Sequence, residues 1–217
     1  MQAGGTVFSS IVYNRIRSTM KQTKAEKIEN KKKLITDALM RCLERDVYSR
    51  ITVQDVADEA GFSKGGLLYY FPTKEELYLD LMNNLFTEII HDHLAVIKGD
   101  LLSNEKAGIS ALYGIEKFVM DRKTIKIFIN LVLYGFEDER IMRPLREFVR
   151  RHLSMYQGIV KEARTNVPGR RKADYDSLFI ARIAQQVVFS ASLFESVDPI
   201  QLDPMKLVGY INSLFKG

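Results

Sequence analysis

Residues 52–76 read TVQDVADEAGFSKGGLLYYFPTKEE, and this stretch decides the fold near the N-terminus. Thr52 and the aspartate three residues later have the spacing of a capping box, so a helix begins there and Gly61 ends it. Ser63 can cap a second, short helix, which Pro72 stops because the residue before a proline is pushed out of the helical region. The stretch therefore predicts two short helices joined by a tight turn.

Apolar residues recur at helical spacing on both sides of this stretch. Before it, a stripe lies on a first helix that ends near Asp46, and after it a fourth helix runs from a capping box at Thr73 to about Lys98. The stripe of the first helix consists of Leu34, Ile35, Ala38, Leu39, Cys42 and Leu43. Further helices are predicted at 105–121, 124–134, 139–165, 174–195 and 203–215, with breaks at 99–104, 135–138, 167–173 and 196–204.

One of these segments, residues 125–134, is rich in β-branched side chains and has the propensity of a strand. A lone strand would have no partner in this chain, so a helix is favoured. The sequence therefore predicts an all-α protein with a three-helix helix-turn-helix domain over residues 34–80. A basic arm, residues 1–33, precedes it, and a larger helical domain, residues 81–217, follows it.

Composition excludes several classes of protein. With 217 residues, 46% of them hydrophobic, the chain can bury a real core, which disfavours disorder and disulfide-stapled miniproteins. The single cysteine, Cys42, lies in an apolar stripe where a buried thiol is expected. The first 20 residues lack the apolar run of a signal peptide. We therefore expect a cytoplasmic protein.

Charge is distributed unevenly along the chain. Residues 1–33 hold eight Lys or Arg and two Glu, whereas residues 34–80 hold five basic and nine acidic side chains. A basic arm beside an acidic domain favours contact between the arm and an anionic partner, although a solvated leader would have the same composition. If that partner is DNA, deletion of residues 1–30 should weaken its binding and flatten the salt dependence of that binding.

The helix-turn-helix interpretation assigns a role to the short second helix, residues 64–70. A major groove accepts one α-helix, and the turn can set this helix into the groove while the preceding helix crosses the backbone. Gly65 and Gly66 each cost roughly 1 kcal/mol in a helix, which close approach to a partner would explain, as would a frayed loop. Tyr69 and Tyr70 cannot both point inward, so at least one exposes a hydroxyl that could donate to a phosphate or pack at an interface.

These residues resemble the N-terminal DNA-binding domain of the TetR family of transcriptional regulators. The resemblance rests on AGFSKGGLLYYFPTKEEL, residues 60–77, and extends over residues 34–82, about a quarter of the chain. Leu68 and Tyr70 depart from the family's usual tyrosine and histidine, and Gly66 replaces a residue that often reads a base. The contact positions implied by the resemblance are Thr52, Ser63, Lys64, Gly65, Gly66, Tyr69, Tyr70 and Lys74.

The same resemblance implies a double-stranded DNA operator, a small-molecule effector and a homodimer formed by the last two helices. It makes residues 81–217 the effector-binding and dimerisation domain. Residues 178–194 are apolar almost all round but include Arg182, so a helix buried on several sides is a better interpretation than a membrane span. The stripe that would face the partner on the final helix is Leu207, Val208, Ile211, Leu214 and Phe215. Effector-lining candidates, which could equally be ordinary core, are Tyr113, Met120, Phe128, Tyr134, Tyr156 and Phe179.

Other motifs are weak, and the sequence predicts no cofactor, no metal site and no catalytic residue. His91 and His93 lie two positions apart, on different helix faces, so a solvated face is favoured over a metal site. His152 has no evident triad partner, and no phosphate loop or CxxC pair occurs. The favoured function is a repressor that a small, largely apolar ligand releases from a near-palindromic operator. The alternatives are a regulator or architectural protein of the same fold without an effector and, less favoured, a helical enzyme.

Overall fold

The computed structural model describes residues 23–99, 101–165 and 176–216. Helices make up nearly all of these ranges and no strand occurs in them, which confirms the all-α fold class. A π-helical segment, Ile115–Met120, follows the fifth α-helix. The helices are α1 (Lys24–Arg45), α2 (Val53–Ala60), α3 (Lys64–Tyr70), α4 (Lys74–Ile97), α5 (Ser103–Gly114), α6 (Arg122–Glu137), α7 (Glu139–Thr165), α8 (Ser177–Val197) and α9 (Pro204–Lys216).

Helix α1 begins ten residues before the predicted domain boundary. Thr23 caps it, accepting from the Glu26 amide while the Glu26 carboxylate accepts from the Thr23 amide. This capping box was missed because the lysines that follow it were interpreted as an arm, although lysine is a good helix former. The boundary at residue 34 therefore falls inside α1, and Leu34, predicted in the apolar stripe, is 50% exposed.

The three N-terminal helices pack as the capping signals predicted. Thr52 and Asp55 form the expected reciprocal box, and Gly61 ends α2 in the left-handed conformation with φ 72°. Val56 of α2 and Leu67 of α3 are fully buried against the α1 stripe, in which Cys42 is a buried free thiol. Because each helix buries one face here, the outer face of α3 is left exposed.

The larger helical part differs from the predicted boundaries at two places. The π-helical segment separates α5 from Asp121, whose carboxylate caps α6, where one uninterrupted helix was predicted. The break expected at 135–138 reduces to Asp138 alone. Gly135 lies inside α6, where an added Cβ would lie 3.2 Å from the Met142 side chain, so this glycine permits close packing of α6 on α7 and does not end a helix. The predicted break at 167–173 lies outside the described residues.

Helix α6 contacts two different parts of the molecule. Lys126 and Asn130, four residues apart, reach the N-terminal domain: Lys126 donates to the Glu44 carbonyl, and Asn130 accepts from the Tyr48 amide at 3.2 Å. Tyr134, one turn further, packs against Tyr48 with the ring planes tilted by 33° and the centroids 4.1 Å apart. The opposite face of α6, at Phe128, Val132 and Phe136, lies two residues along from these contacts and faces α7 and α8. One helix thus joins the N-terminal domain to the C-terminal helices.

Candidate nucleic-acid interface and effector groove

Helix α3 is fixed at both ends by short-range hydrogen bonds. The Ser63 hydroxyl accepts from the Gly66 amide at 3.0 Å, and the Phe71 amide donates to the Leu67 carbonyl at the other end. Leu67 is completely buried and Phe71 is 3% exposed, so these two apolar side chains anchor a helix of only seven residues. The predicted Ser63 cap and the end of the helix before Pro72 are confirmed.

The outer face of α3 carries the side chains that sequence analysis singled out. Lys64 and Gly65 are exposed, and Tyr69 is 75% exposed. Tyr70 is half-buried and packs edge-on against Phe62, with ring centroids 6.0 Å apart. The expectation that one of the two tyrosines exposes its hydroxyl is therefore confirmed for Tyr69.

The two glycines of α3 have different surroundings. At Gly66 an added Cβ would lie 3.1 Å from the Ser63 hydroxyl, so glycine there leaves room for the helix cap. At Gly65 a Cβ would meet nothing within 4 Å. The fold itself therefore accounts for Gly66, whereas the chain's own packing gives no reason for Gly65.

Two of the predicted contact residues lie at the edge of this face. Thr52 is exposed, but its hydroxyl donates to the Asp55 carboxylate at 2.7 Å and accepts from the Asp55 amide. The hydrogen bonds that Thr52 donates lower the pKa of the Asp55 carboxyl group. Lys74 is half-buried, with its ammonium 3.8 Å from the Tyr48 ring centroid and donating to the Tyr48 carbonyl. Burial lowers the pKa of Lys74. The structure turns Lys74 inward onto Tyr48, so its phosphate contact stays a prediction that requires the side chain to leave Tyr48.

Sequence analysis assigned the first lysines of α1 to a separate arm, but they reach the surface around α3. The Lys31 ammonium lies 5.3 Å from the centroid of the Phe62 ring, directly before α3, and Lys32 lies 5.1 Å from the Phe71 ring. Both are cation–π distances. If the helix is started at the Thr23 cap, helical spacing places these lysines on a defined face of α1. The predicted arm residue Lys21 lies outside the described residues.

A groove of about 630 Å³ lies between α6, α7 and α8. Phe128, Val132 and Phe136 of α6 form one wall at four-residue spacing, and apolar residues of the other two helices complete it. The polar residues around it include Arg146, Arg150 and Arg182, and Gln185 and Gln186. The volume falls within the roughly 300–1,000 Å³ of small-molecule sites.

The predicted effector-lining residues do not gather in one place. Phe128 lines the groove, whereas Tyr134 packs against Tyr48 of the N-terminal domain. Met120 and Phe179 are 59% and 61% exposed and are not part of the lining of this groove. Tyr113 and Tyr156 instead flank a buried histidine, His93, at centroid distances of 4.6 and 5.7 Å.

This buried histidine cluster contradicts the solvated face predicted for His93. His93 is completely buried and lies 2.7 Å from the Ser110 hydroxyl, and His152 is 1% exposed beside Gln185. Burial lowers the pKa of His93 to about 4 and that of His152 to about 3. His91 is exposed as predicted. Within the described ranges, no group of three His, Cys, Asp or Glu side chains is placed to hold a metal ion.

The helix-turn-helix geometry agrees with a comparison of families. Residues 35–81 match the family described as bacterial regulatory proteins, tetR family. The N-terminal domain belongs to the TetR family. The match covers α2 and α3 completely and the apolar stripe of α1, so the resemblance predicted from residues 34–82 is confirmed.

Bacterial transcriptional regulators are similar in sequence to part of this chain. The HTH-type transcriptional regulator YuxN of Bacillus subtilis is 34% identical over 68 residues, which cover 30% of this chain and 23% of YuxN. The aligned stretch thus spans about a quarter of that relative. The similarity to YuxN therefore covers less than a third of this chain.

Solved structures share the fold along most of the chain. A transcriptional regulator of Saccharomonospora viridis in complex with choline has a TM-score of 0.76 and 13% identity, covering 87% of this chain and 96% of its own. FadR of Bacillus subtilis in complex with stearoyl-CoA has a TM-score of 0.70 and 17% identity, covering 85% and 97%. At these identities the likeness establishes the fold, including the helices that follow the TetR-family domain.

Helix α8 is the one helix of the described ranges that is long and apolar enough to span a membrane. It packs on the chain through one face, which includes Ala181, Gln185 and Val188. Much of the rest is open: Phe194 and Val197 are 68% and 75% exposed. The predicted burial on several sides is therefore not met within one copy of the chain.

Proposed function

We propose that the protein is a cytoplasmic DNA-binding transcriptional regulator that acts as a homodimer. In this proposal it is a repressor, and a small, largely apolar ligand releases it from a near-palindromic operator. The observation that carries the proposal is the exposed face of α3 in a TetR-family domain, with Ser63, Lys64 and Tyr69 presented by the buried anchors Leu67 and Phe71.

The electrostatics of this surface suit a DNA backbone. Residues 34–80 carry a net negative charge, but Glu59 among them is paired with Arg41 at 2.6 Å and with Arg45 at 2.5 Å. Positive charge beside α3 comes from Lys31, Lys32 and Lys64. Such side chains neutralise DNA phosphates and thereby release counterions, which favours binding. Ser63, Gly65, Gly66, Tyr69 and Tyr70 remain the proposed neighbours of bases and phosphates, whereas Lys74 would first have to leave Tyr48.

The proposed homodimer requires a change in the residues assigned to it. Ile211 and Phe215 of α9 are 1% and 0% exposed and pack inside the chain, so the stripe predicted for the subunit interface belongs to the core. The exposed apolar side chains of the last two helices are better candidates. A twofold pairing through them would set the two copies of α3 about 34 Å apart for successive major grooves. These side chains are Phe179, Phe194, Val197, Met205 and Tyr210.

Regulation by a ligand is supported by α6. Its face at Phe128, Val132 and Phe136 lines the groove, and its opposite face at Lys126 and Asn130 holds the N-terminal domain. A ligand that repositions α6 would therefore change the placement of α3, provided that it binds the two arrangements with different affinity. Two proteins of the same fold were crystallised with small molecules, choline and stearoyl-CoA.

Selection from random duplexes tests the proposal. The full chain should select duplexes that contain two related half-sites, and its affinity for them should fall steeply as the salt concentration rises. The double replacement Lys64→Gln with Tyr69→Ala should weaken that binding, whereas Arg143→Gln, exposed on α7, should not. Failure to retain any duplex at low ionic strength would refute the DNA-binding function.

Analytical ultracentrifugation of the protein without DNA tests the proposed homodimer. A protein that sediments as a monomer at micromolar concentration would refute it.

A further inference from the structure

We propose that the groove between α6, α7 and α8 binds an amphiphile with a long aliphatic chain and an anionic head. This inference rests on the proposed ligand-responsive function and names its effector class: an acyl chain carried as a free carboxylate or as a phosphate-bearing thioester. The groove supplies an apolar body for the chain and a cationic rim for the head.

The apolar part of the groove is continuous across three helices. Phe128 and Phe189 stack with ring centroids 4.9 Å apart, which joins α6 to α8 at the groove wall. Val132, Leu145 and Val149 line the same space. These side chains offer neither donors nor acceptors, so an aliphatic chain can replace water there without leaving a polar group unpaired.

The rim carries only positive charge among the described residues that line the groove. Arg146, Arg150 and Arg182 approach it from α7 and α8, and no carboxylate is part of the lining. Arg146 is engaged with Glu139, which lies outside the groove, at 2.9 Å. Three guanidinium groups beside an apolar space favour an anionic head and oppose a cationic one, so choline is a poor candidate for this groove.

Arg182 is held in place for this role by a buried amide. Its guanidinium donates to the Gln185 Oε1 at 2.8 Å, and Gln185 in turn donates to the Val149 carbonyl at 3.2 Å. Gln185 is 2% exposed. Because a fixed guanidinium loses less entropy when it binds, Arg182 is the preorganised member of the rim. Arg150 forms no hydrogen bond or ion pair with the described residues and is available for the second contact.

Calorimetric titration of the full chain tests the proposal with four C12 amphiphiles below their micelle concentrations. The compounds are dodecanoate, dodecanoyl-CoA, dodecanol and dodecyltrimethylammonium. We expect at least one of the two anions to bind at one per chain, and the neutral and cationic compounds to bind at least tenfold more weakly. A preference for dodecanoate or for its thioester identifies the head group. Equal affinity for all four, or binding of none, overturns the proposal.

Variants locate the site. Arg150→Gln and Arg182→Gln should each weaken anion binding about tenfold or more, and Arg143→Gln on α7, away from the groove, should leave it unchanged. Val132→Trp should fill the apolar space and abolish binding, with a melting curve to show that it folds. Anion binding that none of these variants alters would place the ligand elsewhere and overturn the assignment.

Duplex retention measured on the same preparations separates the two proposals. A chain that retains its selected duplex but binds no anionic amphiphile refutes the ligand assignment alone. A chain that binds the amphiphile at the groove but retains no duplex refutes the regulatory function alone. If both hold, the amphiphile and the duplex should change each other's affinity by the same factor.

Discussion

The Tyr48 amide donates to the Asn130 side-chain oxygen at 3.2 Å, joining positions that are 82 residues apart. Both residues are buried, and the Asn130 amide group donates in turn to the Lys126 carbonyl of its own helix. The bond fixes the loop between α1 and α2 of the N-terminal domain to α6. Whatever moves α6 therefore acts on the loop between α1 and α2.

Replacing Asn130 with alanine should destabilise the protein by about 1–3 kcal/mol, because the Tyr48 amide would be left buried without an acceptor. Urea unfolding measures this difference. Asn84→Ala is the control, since Asn84 is exposed and bonds only to Asp80 one turn away, and its effect should stay within about 0.5 kcal/mol. Equal effects of the two replacements would show that the link between the domains contributes nothing.

Alanine at the two glycines of α3 should separate stability from DNA binding. Gly65→Ala meets open space and should stabilise the fold by about 0.5 kcal/mol, yet weaken retention of the selected duplex, since a methyl group would intrude on the face proposed for DNA. Gly66→Ala should destabilise the fold, because its Cβ would crowd the Ser63 cap. Thermal melting and duplex titration of both variants are the measurements. Undiminished binding by Gly65→Ala would contradict the close approach.

Replacing Gly114 with alanine should cost about 1–3 kcal/mol, because the new Cβ would lie 2.8 Å from the Tyr156 hydroxyl in the fully packed core. That hydroxyl has no hydrogen-bond partner among the described residues, so Tyr156→Phe alone should be close to neutral. The double variant should recover part of the loss. A double-mutant cycle with no coupling energy would show that the contact does not limit position 114.

Stability should fall as the pH drops below about 6.5. The folded protein keeps His93 and His152 neutral, with pKa values of about 4 and about 3, whereas both take up protons near their ordinary value when unfolded. Between about pH 4 and pH 6.5 the unfolded chain binds more protons than the folded protein, so the free energy of unfolding rises with pH. The contribution of the two histidines is fully present above pH 6.5. From pH 7.5 to pH 5 the two groups together account for a loss of about 4 kcal/mol.

Unfolding curves at a series of pH values check this dependence through its slope. His152→Leu should remove about half of the slope attributed to the pair, whatever it does to stability at pH 7.5. An identical slope in the wild type and in His152→Leu would contradict a neutral, buried His152.

Charge replacements in α1 test the contribution of its lysines more cleanly than a deletion. Deleting residues 1–30 would also remove the Thr23 capping box and nearly two turns of helix. Gln at Lys24, Lys27 and Lys31 keeps the helix and should lower the slope of log affinity against log salt by about one for each phosphate that the variant no longer neutralises. A salt slope equal to that of the wild type would show that these lysines stay away from DNA.

Local signals explain which parts of the fold could be predicted. Thr52, Gly61 and Ser63 act on backbone groups within three or four residues, so their spacing in the sequence is sufficient to place α2 and α3. The helix over residues 125–134 was predicted because a lone strand would lack a partner. Thr23 carries an equally local signal, and it was missed only because the charge of the following lysines was given more weight than their helix propensity.

The remaining differences depend on tertiary contacts that spacing does not contain. Lys74 turns toward Tyr48, and His93 toward Ser110, because each meets a partner on another element of the fold. Gly135 is needed where α7 comes close, which its neighbours in sequence do not reveal. The groove likewise combines side chains from three helices, so the aromatic residues chosen from sequence spacing were distributed over several regions.

Helix α1 carries its lysines and its buried stripe on one continuous rod, from Lys24 to Arg45. An inserted residue between Lys33 and Leu34 would rotate the lysines by about 100° relative to Ile35 and Leu39, away from Phe62 and Phe71. A free tail could lengthen or shorten without such an effect. During evolution this basic segment can therefore exchange residues readily, but it cannot change its length.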